Sequence, residues 1–160
     1  MNRTERAGIP DIEALVQMRM AYLREDSGYE EKDHNDPIRT ALPEYFLHHL
    51  NRDLFCYVIR EADEIVSCAF LLVQEKPMSP SFPNGKTGTL LNVYTKPAYR
   101  KRGYARQIMQ RLTADAEKME LCTLELKSTE EGYPLYCSAG FAEDHSYRLM
   151  KWKNRHVTGE

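Results

Sequence analysis

Apolar residues recur at steps of three and four along two stretches of the chain, which is the spacing of one face of an α-helix. The first stretch runs from Asp11, a residue type that caps helix starts, to about Glu25. The second begins at Gly103, and its apolar face consists of Ala105, Ile108, Met109, Leu112 and Ala116. Two long amphipathic helices are therefore predicted.

Prolines mark the starts of two shorter helices, because proline is favoured in the first turn of a helix. One is predicted over residues 43–50, with Pro43 at its start. The other is predicted over residues 134–139 and ends before Gly140. The pattern thus predicts about four helices.

Apolar runs and alternating patterns predict strands in the remaining segments. Residues 55–60 and 65–73 are apolar runs separated by a short polar turn, which indicates a hairpin. The other predicted strands are residues 89–95, 122–128 and 146–152. Strands and helices interspersed in this way are typical of one α/β layer structure with a mixed sheet.

The length of 160 residues fits one domain, which we place at residues 1–152, followed by a polar tail at 153–160. The start of the chain is polar, and no apolar run approaches the ~20 residues of a membrane-spanning helix. The four cysteines are far apart in sequence, without the close pairs of a zinc or redox motif. We therefore expect a cytoplasmic protein with reduced thiols and no membrane partner.

Charge is unevenly distributed along the chain, although the net charge is only −2 and argues against a nucleic-acid binder. Six basic residues and no acid lie between Lys96 and Arg111, and six acids lie between Glu25 and Asp36. Such runs are common on solvated surfaces. Two opposite runs in one small domain also fit two ligands of opposite charge.

Four cations crowd the start of the second amphipathic helix, namely Arg100, Lys101, Arg102 and Arg106. A helix N-terminus already carries about half a positive charge and about four unpaired N–H groups, so cations there are unfavourable unless an anion is present. Gly103 lets the backbone approach such an anion closely. A phosphate or diphosphate site is expected, and a solvated basic helix start is the alternative. The spacing matches neither a Walker loop nor a dinucleotide-binding turn.

The hexapeptide RKRGYA at residues 100–105 resembles the (Gln/Arg)-x-x-Gly-x-(Gly/Ala) signature of the GNAT superfamily of N-acetyltransferases. Its context is more specific, because residues 91–112 are similar to the family's strand, bulge, pyrophosphate loop and helix. The sequence EGYPLYCSAGF at residues 131–141 is similar to the family's short tyrosine helix. The resemblance extends over roughly residues 9–152.

This resemblance implies acetyl-CoA as the acyl donor. It also implies a mixed, mostly antiparallel sheet flanked by about four helices, in which a splayed strand pair forms the acyl-CoA cleft. The pantetheine arm would lie beside Val93, Tyr94 and Thr95. The diphosphate would be held by the backbone N–H groups of Lys101, Arg102, Gly103, Tyr104, Ala105 and Arg106.

Acyl transfer to an amine requires an oxyanion site, a leaving-group acid and a route for the amine proton. Backbone N–H groups near residues 93–95 could hold the oxyanion. By resemblance, Tyr136 protonates or hydrogen-bonds the departing sulfur; otherwise it is a half-buried core tyrosine. Glu125 resembles the base of ribosomal-protein acetyltransferases, and a water relay is the alternative. Cys137 is a weaker candidate nucleophile, because none of the five histidines is spaced to pair with it or to bind a metal.

Two positions depart from the family pattern. An asparagine often found before the tyrosine helix has no counterpart, since Thr129, Glu130 and Glu131 occupy that turn. Thr89 stands where histone-type members carry a glutamate base. Donor binding is compatible with both departures, and the general base is left undecided.

The expected function is an N-acetyltransferase that moves an acetyl or other acyl group from acetyl-CoA to a primary amine of a small molecule or peptide, by direct attack in a ternary complex. A non-catalytic acyl-CoA-binding module, used in sensing or partner recruitment, is the alternative. Tyr136 favours the enzyme, because a pure binder needs no acid beside the sulfur. The acidic run makes a cationic acceptor one option, and the chain is expected to be a monomer or a homodimer without nucleic acid or metal.

Overall fold

The computed structural model describes residues 1–159 as a central sheet with helices on both faces. The sheet contains β1 (Glu5–Arg6), β2 (Leu54–Glu61), β3 (Glu64–Glu75), β4 (Lys86–Thr95) and β5 (Thr123–Glu125). The helices are α1 (Ile12–Ser27), α2 (Pro37–His49), α3 (Tyr104–Lys118), α4 (Tyr133–Ser138) and α5 (Arg155–Thr158). Short 3-10 turns precede α1 and α3 at Ile9–Asp11 and Pro97–Tyr99.

The strands lie in sequence order, β1-β2-β3-β4-β5, and each neighbouring pair is antiparallel except β4 and β5. Strands β4 and β5 are parallel because α3 carries the chain back across the sheet between them. This arrangement confirms the predicted mixed, mostly antiparallel sheet. The predicted hairpin is also confirmed as β2 and β3, joined by a turn in which Ala62 and Asp63 both have positive φ.

A β-bulge interrupts the pairing of β4 with β3. Leu91 pairs with Phe70 and Tyr94 pairs with Cys68, so two residues of β4 lie opposite one residue of β3. The first bulged residue, Asn92, has a φ of 53° and is 2% exposed. The bulge bends β4 locally, three residues after Thr89, the last residue of β4 that pairs with β5, and beyond it Tyr94 and Thr95 still pair with β3.

Two hydrophobic clusters hold the helices against opposite faces of the sheet. On one face, buried residues of α1 and α2, including Leu15, Met18 and Phe46, pack with side chains from β2 and β3. On the other face, Ile108 and Leu112 of α3 pack with a second set of β2 and β3 side chains. The alternation of strand side chains between two faces therefore supplies both clusters.

The start of α2 corrects one sequence prediction. The helix begins at Pro37 and not at Pro43, because the Asp36 carboxylate caps it by accepting bonds from the N–H groups of Ile38 and Arg39. Pro43 lies inside the helix. The prediction took Pro43 as the first-turn proline and so missed the start of the helix, although Pro37 is the proline in its first turn and Ile38 and Leu42 precede Pro43.

The predicted capping of α1 by the Asp11 side chain is also wrong. The Asp11 side chain makes no cap bond to the first turn of α1. It instead accepts a bond from the N–H of Gly8 and pairs with Arg60 of β2. The Asp11 carboxylate therefore forms an ion pair with a distant strand, whereas the local sequence pattern predicted that it would cap the helix.

The predicted final strand at residues 146–152 is wrong for this structure, because these residues form no regular element. Strand β5 is likewise only three residues long, against the seven predicted. Beyond them α5 forms a single short helix in the predicted tail, capped by the Asn154 side chain at the N–H of His156.

Candidate functional site

A cleft of about 610 Å³ opens where β4 and β5 separate. The two strands pair only over Thr87–Thr89 and Thr123–Glu125, so the second half of β4 has no partner in the described part of β5. Eight of the nine predicted donor-binding residues line this cleft: Val93, Tyr94, Thr95, Lys101, Gly103, Tyr104, Ala105 and Arg106. Arg102 is the ninth, and it is not among the lining residues.

The loop before α3 lines the cleft and contains two residues with left-handed backbone. Lys101 has a φ of 63° and Gly103 a φ of 80°, so the chain takes left-handed turns at both residues. No side chain caps the first turn of α3 within residues 1–159. Successive turned N–H groups at a helix start form a concave site suited to an anion.

Two of the four crowded cations are already engaged by the protein. Arg100 donates to the Glu25 carboxylate over 2.6 Å and to the Thr95 carbonyl over 2.8 Å. Arg102 lies over the Tyr99 ring, 5.0 Å from its centroid. These contacts stabilise the conformation of the loop, so both side chains have a structural role here.

The other two cations line the cleft with no such partner. Neither Lys101 nor Arg106 makes an ion pair or side-chain hydrogen bond with another residue in the range 1–159. Their charges add to the N-terminal dipole of α3. Of the four cations at the start of α3, these two therefore remain without a partner of opposite charge. An anionic ligand in the cleft would be stabilised by both of them.

Tyr136 lies on α4 beside the cleft, although it is not among the lining residues. Its ring packs on Gly132, which does line the cleft, and stands edge-on to Phe141. Burial, followed by the nearby phenol of Tyr22, raises the pKa of Tyr136 to about 12. The hydroxyl is therefore a proton donor at every physiological pH.

The two other candidate residues lie apart from the cleft lining. Glu125 is exposed on β5, paired in register with Thr89, and does not line the cleft. Cys137 is an exposed free thiol on α4. The structure therefore brings eight of the nine predicted donor-binding residues together and leaves Glu125 and Cys137 outside that group.

The first helix contributes residues that the sequence patterns did not single out. Tyr22, Glu25 and Asp26 of α1 line the cleft. Arg19 donates to the Asn92 side chain over 3.2 Å and so ties α1 to the bulge in β4. The i, i+3, i+4 spacing of Tyr22, Glu25 and Asp26 could have indicated one shared face, but only the fold shows what that face meets.

Much of the acidic run has internal partners. Asp36 is 1% exposed, and its carboxylate also accepts from the Tyr29 hydroxyl over 2.7 Å. Glu31 pairs with Arg39 over 2.5 Å, and Glu25 pairs with Arg100. These contacts engage three of the six acids, and Asp33 also accepts a bond from the N–H of Asn35, so the field that the run projects is smaller than its composition suggests.

Two other features are absent from residues 1–159. These residues contain no group of three or more His, Cys, Asp or Glu side chains placed to hold a metal ion. No helix in the same range is long and apolar enough to cross a membrane.

Comparison with protein-family models gives a match over residues 13–141 to the acetyltransferase (GNAT) family. The chain belongs to the GNAT family of acetyltransferases. It is therefore an acyl-CoA-dependent transferase of the family that the hexapeptide indicated, and the mixed sheet is the GNAT fold. The domain boundary at residue 152 lies beyond the matched range and stays a prediction, as does the cytoplasmic location. No curated protein gives a significant match.

Two solved structures share about a quarter of their residues with this GNAT acetyltransferase. A predicted acetyltransferase from Clostridium acetobutylicum, solved with acetyl-CoA, is 26% identical with a TM-score of 0.80, over 92% of this chain and 94% of that chain. A GCN5-related N-acetyltransferase from Ralstonia eutropha JMP134 is 27% identical with a TM-score of 0.73, over 92% and 97% of the two chains.

A more distant structure shares the fold alone. The glucosamine-6-phosphate N-acetyltransferase from Arabidopsis thaliana is 15% identical, with a TM-score of 0.69 over 94% of this chain and 97% of that chain. A common fold at this identity carries no information about the acceptor.

Proposed function

We propose that the protein transfers an acetyl group from acetyl-CoA to a primary amine of a small molecule or peptide, by direct attack in a ternary complex. The observation that carries this proposal is the cleft between β4 and β5, with an uncapped α3 start and two unpaired cations at one end. The related Clostridium acetobutylicum protein was solved with acetyl-CoA, which supports the choice of donor.

The donor binds with its diphosphate at the start of α3. Backbone N–H groups of Lys101 to Arg106 hold the phosphate oxygens, and the side chains of Lys101 and Arg106 add positive charge. The pantetheine arm follows Val93, Tyr94 and Thr95 along the free half of β4. N–H groups of the same half-strand stabilise the oxyanion that forms on the thioester.

Tyr136 assists the departing sulfur by donating a hydrogen bond. A thiol has a pKa of about 8.5, so full proton transfer to the thiolate from a phenol of pKa about 12 is unfavourable. A hydrogen bond from a phenol that stays protonated still lowers the energy of the developing thiolate. The contact of the Tyr136 ring with Gly132, which lines the cleft, supports this role.

A water relay removes the amine proton better than Glu125 does. Glu125 is exposed and does not line the cleft, so a carboxylate contact with an amine in the cleft is not preformed. Water within the open cleft can carry the proton to solvent. Replacement of Glu125 with Gln should therefore leave kcat within a few-fold of wild type.

The acceptor enters beside α1. Glu25, Asp26 and Glu131 line the cleft there, together with the Tyr22 and Tyr94 rings. Carboxylates and aromatic faces favour a cation, and most primary amines are protonated at pH 7. A cationic acceptor such as a polyamine or a peptide N-terminus fits this surface better than a neutral or anionic amine.

The test is release of free thiol from acetyl-CoA in the presence of a panel of amines that differ in charge. We expect turnover with at least one cationic amine, and a lower kcat/KM for it in Asp26→Asn at low salt. Glu44→Gln, an exposed acid on α2 outside the cleft, is the matched control. Tight acetyl-CoA binding with no turnover on any amine would instead support the non-catalytic module.

A further inference from the structure

The first residue of the β4 bulge, Asn92, has an unusual backbone for its position. Its φ is 53°, and the residue is 2% exposed. Of the non-glycine residues with positive φ in the range 1–159, only Asn92 lies within a strand. Asparagine tolerates this left-handed conformation better than most residues. The turned residue comes directly before the cleft residues Val93, Tyr94 and Thr95.

Polar partners from two elements hold the Asn92 side chain. Its amide oxygen accepts a bond from the Arg19 guanidinium of α1 over 3.2 Å. Its amide nitrogen donates to the Met18 carbonyl over 3.4 Å and lies 3.6 Å from the Cys68 sulfur of β3. The Cys68 thiol in turn donates to the Asn92 carbonyl over 3.4 Å. Side-chain contacts therefore tie the bulge to α1 and to β3.

Arg19 is half-buried and forms no ion pair with another residue in the range 1–159. Its contacts are the uncharged Asn92 amide and the Tyr22 ring, whose centroid lies 5.9 Å from the guanidinium carbon. A partly buried charge is costly unless it is paired, and a carboxylate would offset this cost better than an amide does. The contact between Arg19 and the bulge therefore points to a role beyond stability.

We propose that Arg19 and Asn92 are positioning residues for acyl transfer, which fix the direction in which the bulge presents the backbone of residues 93–95 to the thioester carbonyl. This inference rests on the proposed function, in which N–H groups of this half-strand stabilise the oxyanion. Neither side chain lines the cleft, so both act through the backbone that follows the bulge. A displacement of about 1 Å at a reacting centre can cost roughly 10²-fold in rate.

A second left-handed asparagine provides a matched control. Asn51 has a φ of 61°, and its side-chain oxygen accepts from Arg6 over 3.1 Å. Its side-chain nitrogen donates to the Ala7 carbonyl over 3.0 Å. Neither Asn51 nor Arg6 lines the cleft. This pair repeats the chemistry of the bulge contact away from the cleft, so substitutions there measure a purely structural effect.

The test uses acetyl-CoA isotopically labelled at the acetyl carbonyl carbon and bound to the protein without an acceptor. A hydrogen bond to this carbonyl lowers its infrared stretching frequency. We expect a lower frequency on wild type than in solution, and the loss of most of this shift in Asn92→Gly and Arg19→Met. Glycine permits the left-handed φ, so Asn92→Gly removes the side-chain contacts without straining the backbone. The control variants Asn51→Gly and Arg6→Met should retain the shift.

Affinity and kinetics separate positioning from loss of structure. CoA, which lacks the carbonyl, should bind wild type and all four variants with nearly equal affinity in calorimetry. On the amine that wild type acetylates fastest, both bulge variants should lower kcat at least about tenfold with little change in KM for acetyl-CoA, because loss of a whole oxyanion donor costs roughly 10²–10³-fold. Arg19→Met combined with Asn92→Gly should be no slower than Asn92→Gly alone, since the arginine acts through the asparagine.

Retention of the full carbonyl shift in both bulge variants would overturn the proposal, as would equal losses in the two control variants. Wild-type protein that binds acetyl-CoA without any carbonyl shift would also overturn it, while donor binding would stand. Wild-type protein that binds no acetyl-CoA would contradict the proposed function itself, and this inference with it.

Discussion

The Glu25 carboxylate accepts a hydrogen bond from the Arg100 guanidinium at 2.6 Å, and this pair joins the last turn of α1 to the loop before α3. Arg100 also donates to the Thr95 carbonyl at the end of β4. The arginine that opens the acetyltransferase signature therefore ties three segments around the cleft. The proposed acceptor side and the proposed donor side of the cleft thus share one ion pair.

This pair predicts a measurable coupling between Glu25→Gln and Arg100→Ala. Both side chains are partly exposed, 45% and 32%, so we expect a coupling free energy of only about 0.2–1 kcal/mol in thermal unfolding. Because Glu25→Gln removes a negative charge from the cleft, it should also tighten acetyl-CoA binding at low salt. Full additivity of the two changes, measured against Arg102→Ala as control, would show that the ion pair does not form in solution.

Gly103 separates the effect of charge from the effect of bulk at the start of α3. A Cβ there would meet no atom within 4 Å, but the φ of 80° strains most side chains. Asn and Asp have the same shape and tolerate this conformation best. Gly103→Asp should weaken acetyl-CoA binding at least tenfold, about 1.4 kcal/mol, and Gly103→Asn much less.

Calorimetric titration of both Gly103 variants at low and high salt provides the measurement. The difference between Asp and Asn should shrink at high salt, because screening reduces the repulsion of the diphosphate. Equal affinities for the two variants at low salt would show that the diphosphate does not bind at this loop.

Tyr136→Phe tests the proposed hydrogen bond from the hydroxyl to the leaving sulfur. We expect kcat to fall roughly 10²-fold with little change in donor affinity, since the ring that packs on Gly132 and Phe141 is retained. The raised pKa, about 12, keeps the phenol protonated as the pH rises through 10. The pH profiles of wild type and variant should therefore have the same shape below pH ~11, and a basic limb lost only in Tyr136→Phe would contradict this protonation state.

Gly132→Ala tests the placement of the same ring. Its Cβ would lie 2.9 Å from Cε2 of Tyr136, too close for both to keep their positions, although the φ of −79° suits alanine. The displaced hydroxyl should lower kcat by roughly tenfold or more. In a Tyr136→Phe background, Gly132→Ala should have almost no further effect on kcat. If Gly132→Ala lowers kcat as much in that background as in wild type, its effect does not act through the Tyr136 hydroxyl.

Asp36 offers a prediction about stability and pH. A hydrogen bond from the Tyr29 hydroxyl, helped by backbone N–H groups of α2, lowers the pKa of this carboxyl. Its stabilisation is therefore complete above the unfolded pKa of about 4 and is lost as the pH falls through the lower folded value. Asn also caps helices, so Asp36→Asn should lower Tm less than Asp36→Ala at pH 7. The difference in Tm between wild type and Asp36→Asn should disappear in acid, and a constant difference would exclude the charge as its origin.

Local patterns were sufficient to predict the elements on either side of the proposed donor site. The 3.6-residue periodicity of residues 103–116 and the apolar run at 89–95 predicted α3 and most of β4, because each element buries one face against the sheet. The crowded cations and Gly103 marked the loop between these two elements before any contact was known. The resemblance to the family was carried by this segment together with residues 131–141.

The tertiary structure decided which charges remain available. The sequence alone does not distinguish the four cations at the start of α3. In the structure Arg100 pairs with Glu25 of α1 and Arg102 packs on Tyr99 of the loop. Lys101 and Arg106 line the cleft without such partners. Ion pairs depend on distances between segments that are far apart in the chain, here 75 residues for Arg100 and its carboxylate partner, and these distances are set by the packing of whole elements. The same reason explains the failure at residues 146–152: alternation shows that a segment can be a strand, but a strand forms only where another edge supplies its hydrogen bonds.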